Sequence, residues 1–404
     1  MTSDDVPPNG IGQRVKVARG LVGLTQRQLA SKAHVSLSLV KQVEQGRTPA
    51  SPAFVAAAAR ALGSDTAKLM DQPYAIADRD EHRVHAAIPA LRREIAAFRL
   101  PPDPGIPPRP LAELVAATAR LSRLRHSATL DALGAGLPGL LAELRAASHL
   151  YQERDRERVF GLLSEAYAAA GQVAYKLGYS DLSSLTTERV EWAARESGDE
   201  LAVAAGDFYR AGEFIVIAQW RGALSFLDEA RHRIADRLHS DDEAALAMHG
   251  ILHLKSGLAA ARAGDADTSD HHLSEARQAA AHVTPGSDHY RLAFDTDSVN
   301  IWSVGLAVER RDGTEAVQRA DSFALGSTAP RERVGHHWID LARAFQLHGD
   351  RDRSMAALHR ARRTSPQQTR YHPQVRETVV TLAEHERRRS DTLSSFARWA
   401  GIRL

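Results

Sequence analysis

The feature that most limits what this chain can fold into is an internal echo in its second half. Phe226-Leu227-Asp228-Glu229-Ala230-Arg231 returns as His272-Leu273-Ser274-Glu275-Ala276-Arg277 and as Ala357-Leu358-His359-Arg360-Ala361-Arg362, with a fainter Val317-Gln318-Arg319-Ala320 between the last two. Measured on the alanine, the steps are 46, 44 and 41 residues. Each later copy follows a longer helix-patterned stretch ending in a small loop: ARAGD at 261–265, ERRDG at 309–313 and QLHGD at 346–350. A period of this length, built as helix, turn, helix, is the signature of an α-solenoid. One such pair cannot bury its apolar face alone, so stacked neighbours must create the core and, with it, a concave surface. From Leu111 onward the chain is rich in Ala and Leu with no convincing strand, and pairs are expected to begin near Leu111, Arg158, Asp199, Asp241, Asp288, Arg331 and Tyr371. The expected fold class is all-α.

The first seventy residues follow a different plan, centred on Leu24 to Gly46, LTQRQLASKAHVSLSLVKQVEQG. Thr25 is placed to cap a helix running to Lys32 with Leu24, Leu29, Ala30 and Ala33 on its buried face, and Gln28 stands at the reciprocal capping-box position. Ser36 is placed to cap a second helix ending near Gln45, whose Val35, Leu39, Val40 and Val43 share one side at helical spacing. That leaves Ser36, Leu37, Ser38, Lys41 and Gln42 facing outward from a helix-turn-helix. A first helix is expected over 11–22. Pro52 opens a fourth with Phe54, Ala57, Ala58, Ala61 and Leu62 as its apolar face, Gly63 stops it, and 65–72 forms a short fifth. Charge follows the same boundary. Between Ile11 and Met70 nine basic residues face two acidic ones, a local +7 in a chain whose net charge is +2, so the remainder stands near −5. A basic head on a mildly acidic body is the distribution of a nucleic-acid-binding domain joined to one that does not bind nucleic acid.

The pattern LTQxxLAxxAxVSxxxVxxxExG, with Thr25-Gln26 opening it and Glu44 and Gly46 closing it, resembles the phage-repressor-like (Cro-like, or Xre) helix-turn-helix family over about 11–70. The resemblance implies that the second helix of the motif enters the major groove of double-stranded DNA. It further implies that Gln26 and Arg47 hold phosphates and that Leu37, Ser38, Lys41 and Gln42, at the end capped by Ser36, meet bases. Arg19 and Glu44 fall where relatives pair the first helix with the end of the recognition helix, a role read as structural. The turn position usually held by glycine is His34, one of the non-glycine types that tolerates positive φ. The body resembles tetratricopeptide repeats with lengthened helices, Ala174-Tyr175-Lys176-Leu177-Gly178 with Tyr179 being the nearest fragment of that consensus. Together, head and body resemble bacterial regulators that sense signalling peptides, and more closely related regulators abundant in actinomycetes. This implies a homodimeric transcription regulator with a peptide or small-molecule effector, with Phe396 and Trp399 as candidates for the dimer contact. The other reading is a protein-interaction adaptor whose repeats hold a partner and whose head is an accessory.

The expected layout is a disordered lead-in (1–10), the head (11–72), a helical and proline-rich linker (73–110) and the repeat domain (111–404). The linker ends in PPDPGIPPRP, six prolines in ten residues, a composition that forms an extended spacer. Cysteine is absent, which excludes disulfides and thiolate chemistry and fits a reducing cytoplasm. No apolar run approaches the roughly eighteen residues of a spanning helix, so no membrane partner is expected and the localisation expected is cytoplasmic.

The nineteen histidines fall into no HExxH or other metal-ligand spacing, and no phosphate-cradling loop or GxSxG elbow occurs, so no catalytic set, metal or cofactor is expected. The tryptophans Trp192, Trp220, Trp302, Trp338 and Trp399 come about one per repeat, as packing between repeats requires. In tetratricopeptide stacks the first helix of each pair lines the concave face. There this chain carries Arg210, His249, His253, Asn300, Trp302 and His337, the candidate effector contacts.

Overall fold

The computed structural model describes residues 10–74, 83–101, 107–240, 242–385 and 391–404. Residues 1–9 of the expected lead-in, 75–82 of the linker, 102–106 of the proline tract and the expected pair start at Asp241 lie outside the described residues. The described residues are helical throughout, with no strand among them.

The head comprises α1 (Ile11–Leu21), α2 (Gln26–Ala33), α3 (Leu37–Glu44), α4 (Pro52–Leu62) and α5 (Thr66–Met70). Its boundaries are set by local chemistry. The Thr25 hydroxyl accepts from the Gln28 N–H while the Gln28 side chain accepts from the Thr25 N–H, a complete capping box. Ser36 accepts from Leu39 N–H, Ser51 from Phe54 N–H with Pro52 in the first turn, and Asp65 from Ala67 N–H. His34 takes the left-handed conformation that ends α2, with φ 54° and ψ 43°. Val15, Leu29, Val40, Val43, Phe54, Ala58 and Leu69 fill the core between these helices. Helix α1 crosses α3 so closely at Gly12 that a Cβ there would lie 1.9 Å from the Val43 carbonyl oxygen.

Residues 83–101, which the sequence places in the linker, contain α6 (Ile88–Ala96), with Pro89 in its first turn. This helix buries Ile88, Leu91 and Ile95 in the core of the first repeats. Six helix pairs follow. Their first helices are α7 (Leu111–His126), α9 (Glu153–Leu177), α11 (Glu200–Val216), α13 (Glu243–Ala263), α15 (Thr296–Glu309) and α17 (Arg331–His348). Their second helices are α8 (Leu130–Leu150), α10 (Ser180–Glu196), α12 (Trp220–Arg233), α14 (Ala266–Ala280), α16 (Gly313–Asp321) and α18 (Arg351–Thr364). The first helices pack on one another in succession as an inner layer, and each second helix packs on its own partner and on the next first helix. A short α19 (Pro366–Tyr371) leads to a final pair, α20 (Pro373–His385) and α21 (Asp391–Trp399).

All six internal turns share one geometry. Ala128, Gly178, Ala218, Gly264, Arg311 and Gly349 each stand in the left-handed region, with φ of 57, 83, 60, 82, 65 and 96°. In each, the next N–H donates to the carbonyl five residues back, as Asp265 does to Ala260 at 3.0 Å and Asp350 to Phe345 at 2.8 Å. That next residue also starts the second helix. Asp265, Asp312 and Asp350 cap it through their carboxylates. Five residues past the left-handed position a small side chain, Ala223, Ser269, Ala316 or Ser354, is fully buried where the second helix presses on the first. Counted this way the steps are 46, 47 and 38 residues, so the faint echo at Val317–Ala320 is out of register. Helix α16 ends at Asp321, and the position equivalent to Ala230 and Ala361 falls beyond it, on Phe323.

The solenoid bends far enough to meet itself. The Gln367 side-chain oxygen accepts from Leu130 N–H at 2.6 Å, and Lys176 reaches Glu332 at 2.8 Å and Gln368 at 2.7 Å. Burial works against both charges of the Lys176–Glu332 pair, yet Lys176, Arg333 and Arg125 hold the Glu332 carboxyl well below the usual carboxylate range. The connection between α14 and α15 spans the same gap. Its Arg291 pairs with Glu165 at 3.0 Å and its Asp288 with His126 at 3.0 Å. At the C-terminal end, Phe396 is fully buried against His359 and Trp399. The expectation that Phe396 forms a dimer contact is therefore corrected: it belongs to the closing core of the solenoid.

The shared turn makes a stability prediction. A Cβ added at Gly264 would meet nothing within 4 Å, so Gly264→Ala tests backbone conformation alone. It should cost about 1–2 kcal/mol in a denaturant titration, the penalty for an L-residue held left-handed.

Candidate nucleic-acid interface

The recognition face of α3 follows from its burial pattern. Val40 and Val43 point into the head core, which leaves Ser38, Lys41 and Gln42 exposed on the opposite side. Leu37 is half-buried and packs against the head core, and the Ser36 hydroxyl is engaged by the Leu39 N–H. Gln42 is held at both ends of its amide. It donates to the Ser38 hydroxyl at 3.4 Å and accepts from the Thr48 hydroxyl at 3.2 Å. Arg47 is exposed just past α3.

Behind this face, Arg19 donates to both oxygens of Glu44, at 2.7 and 2.8 Å, and to the Leu24 carbonyl at 2.8 Å. The Glu44 carboxylate is almost wholly buried, and its second oxygen also accepts from the Gln26 amide at 2.8 Å. A bidentate pair of this kind fixes orientation as well as position. It ties α1 and the start of α2 to the end of α3. Gln26, expected from the sequence to hold a phosphate, has its amide nitrogen turned onto Glu44. Two further cations of the head serve structure: Arg14 donates to the Leu69 carbonyl at 2.7 Å, and Arg60 to the Ala218 carbonyl of the solenoid at 2.8 Å.

The head is seated on the solenoid through residues outside this outward row. Helix α1 has no capping side chain of its own, because Gly10 occupies that position. Glu377 of α20 supplies one. Its carboxylate accepts from Ala50 N–H at 2.8 Å and from the backbone N–H of Ile11. Gln374 donates to the Ala50 carbonyl at 3.5 Å. Burial raises the Glu377 carboxyl to about 7, against the opposing pull of the two N–H donors and Arg14, and Glu384 raises it further. Nearby, the Arg376 guanidinium lies 3.7 Å from the ring centroid of Tyr74, which is buried just past the head. None of this was visible in the sequence. The available signal was the spacing of Gln374, Glu377, Thr378 and Thr381 along one side of α20; all four are buried, while Val375, Val379 and Leu382 on the other side join the solenoid core.

The six candidate effector residues all lie on first helices. Arg210 is engaged by Glu191 at 2.7 and 2.9 Å and by Glu188 at 2.6 Å. His249 and His253 join His272 in a chain of ring nitrogens, with separations of 3.1 and 2.9 Å. Burial, reinforced by His249 and Arg231, lowers His253 to about 2, so the chain is neutral. His337 is buried between Phe323 and Trp338, and burial lowers it to about 4. Asn300 and Trp302 are half-buried, and Lys255 stands between the Trp302 and Phe208 rings. Among the described residues no group of three histidine or carboxylate side chains is placed to hold a metal ion, and no helix is long and apolar enough to cross a membrane.

Comparison with known families agrees with this geometry for the head. The model of the helix-turn-helix domain matches residues 11–71, which spans α1 to α5. No curated protein and no solved structure matches the chain. The chain therefore carries a helix-turn-helix DNA-binding domain at its N-terminal end.

Seating through Glu377 predicts a pH dependence. A carboxyl raised from 4.5 to about 7 on folding favours the docked state when protonated, so its contribution is full below about pH 4.5 and is lost as pH rises through about 7. Glu377→Gln keeps an acceptor for Ala50 and removes the proton. Thermal melts of this variant should lose the part of the wild-type decline that falls between about pH 4.5 and 7; a decline identical to wild type would assign the dependence to other groups.

Proposed function

We propose that this protein is a sequence-specific, homodimeric transcription regulator of the Xre type, whose tetratricopeptide-like solenoid binds an effector in the cytoplasm. The observation that carries this reading is the outward row Ser38, Lys41 and Gln42 on a helix braced by the Arg19–Glu44–Gln26 network. A recognition helix must enter the major groove as a rigid unit that presents polar side chains outward to base edges. Lys41 has the chemistry to donate to the O6 and N7 acceptors of guanine, and Gln42 to pair with adenine at N6 and N7. Ser38 adds a donor or acceptor, and Leu37 an apolar surface for a thymine methyl group. Arg47, with Gln26 at the start of α2, holds the flanking phosphates, and Ser36 fixes the helix end between them.

One head covers one half-site. Two-fold symmetry would place a second recognition helix about 34–36 Å away, one turn of DNA, or at a multiple of that distance. In this reading the inner layer of the solenoid, where Arg210, His249, Asn300 and Trp302 reach partial exposure, supplies the effector contacts.

The test is quantitative binding of duplex DNA selected from a random pool. Affinity should fall steeply with salt, with a log–log slope of about −0.9 per neutralised phosphate. Lys41→Ala and Gln42→Ala should relax preference at one or two positions by about 1–3 kcal/mol, while Arg47→Ala should weaken all sequences alike. A uniform loss in all three variants would place the recognition face elsewhere.

A further inference from the structure

The head does not sit flush on the solenoid. Between them lies a cleft of about 640 Å³, within the usual range of small-molecule sites. Its head wall is made by the turn of the helix-turn-helix at His34 and by Phe54 and Arg60 of α4. Its solenoid wall is made by three consecutive turns, at Trp220, Gly264 and Arg311.

The charges on this lining are satisfied, with one exception. Arg262 pairs with Glu309 at 2.9 Å, Arg310 pairs with Asp270 at 2.7 Å and with Glu315, and Arg60 donates to the Ala218 carbonyl. Arg311 has a terminal nitrogen, Nη1, that is shut off from solvent and meets no acceptor. Burial alone acts on its guanidinium, lowering its pKa, with no carboxylate to offset the cost. A desolvated cation without a counter-charge is costly. Arg311 is also the left-handed residue of its turn, where the five equivalent turns use glycine or alanine. A long cation in that conformation is uncommon and strained, and such strain concentrates at ligand sites.

We propose that this cleft binds a small organic anion, its acidic group drawn to the uncompensated charge of Arg311 and its apolar body packed against Trp220 and the half-buried Leu39. The site differs from the inner face of the solenoid. Because its two walls belong to the head and the body, a ligand bound here favours the docked head by its difference in affinity for the docked and undocked arrangements. Any DNA complex that prefers one arrangement is then coupled to the ligand reciprocally. The inference rests on the regulator reading only for what the ligand controls; the site itself can be tested without DNA.

The probe is 8-anilinonaphthalene-1-sulfonate, an aromatic sulfonate, titrated by fluorescence into the full-length protein. The expected result is one equivalent bound, with Arg311→Ala weakening it about tenfold or more and Arg311→Lys restoring part of the loss. A second variant, Ala263→Trp, fills the cleft from an exposed position of its lining and should abolish binding with Arg311 intact. Leu21→Ser, on an exposed apolar position of α1, should change nothing. Wild-type affinity in Arg311→Ala, or full binding in Ala263→Trp, overturns the proposal, and so does a wild-type protein that binds no probe. The second variant decides the matter where Arg311→Ala fails to fold. A protein that passes these tests but binds no duplex DNA keeps the anion site and loses the regulator reading.

Discussion

The course of the solenoid depends on one turn, a left-handed residue followed by a helix start, used six times with little variation. The turn fixes how far the second helix of a pair leans on the first, and the buried Ala223, Ser269, Ala316 and Ser354 set how closely it approaches. Small rotations repeated along a stack accumulate. Here they bring α17 and α19 back to α7 and α9, where Lys176, Glu332, Gln367 and Gln368 join the ends. Closure places α20 and the turns at Ala218, Gly264 and Arg311 around one region, and the head occupies it.

The head accordingly has two faces with different chemistry. One carries Ser38, Lys41, Gln42 and Arg47 and is open. The other gives its backbone at Ile11 and Ala50 to Glu377 and its Arg60 to the third turn of the solenoid. Of the nine basic residues of the head, Arg14, Arg19 and Arg60 serve its own fold or its seat. The positive balance offered to a nucleic acid is smaller than the sequence sum implies. Glu377 has a further consequence: the first helix of the head lacks a cap until the solenoid provides it, so the head is completed by docking.

Local chemistry was legible in the sequence and distant chemistry was not. Thr25, Ser36 and Pro52 mark helix starts because their effect reaches only three residues, and the structure places α2, α3 and α4 within a residue of where they point. His34 in the left-handed region follows from the same short-range logic. Three of the six solenoid turns are announced by Gly178, Gly264 and Gly349, and the ERRDG loop marks a fourth at Arg311; the turns at Ala128 and Ala218 are hidden because alanine takes that conformation against its preference. The fainter echo falls on Ala320 and not on Ala316 because α16 stops at Asp321, before the position where the other copies carry their alanine. Solenoid closure, the seat of the head and the burial of Phe396 depend on residues hundreds of positions apart, such as Ala50 with Glu377 or Leu130 with Gln367, and no periodicity encodes them.

The central claim is that head and solenoid form one docked unit, so that events in the solenoid reach the DNA-binding helix. A chain without cysteine allows a direct test. A Cβ at Gly10 would lie 3.7 Å from Cγ1 of Val380 on α20, within reach of a disulfide. The double variant Gly10→Cys, Val380→Cys is oxidised mildly and resolved on a denaturing gel without reductant. The account predicts a single internally cross-linked monomer, formed at close to full yield. Thiols that stay free, or that link only between molecules, would contradict it.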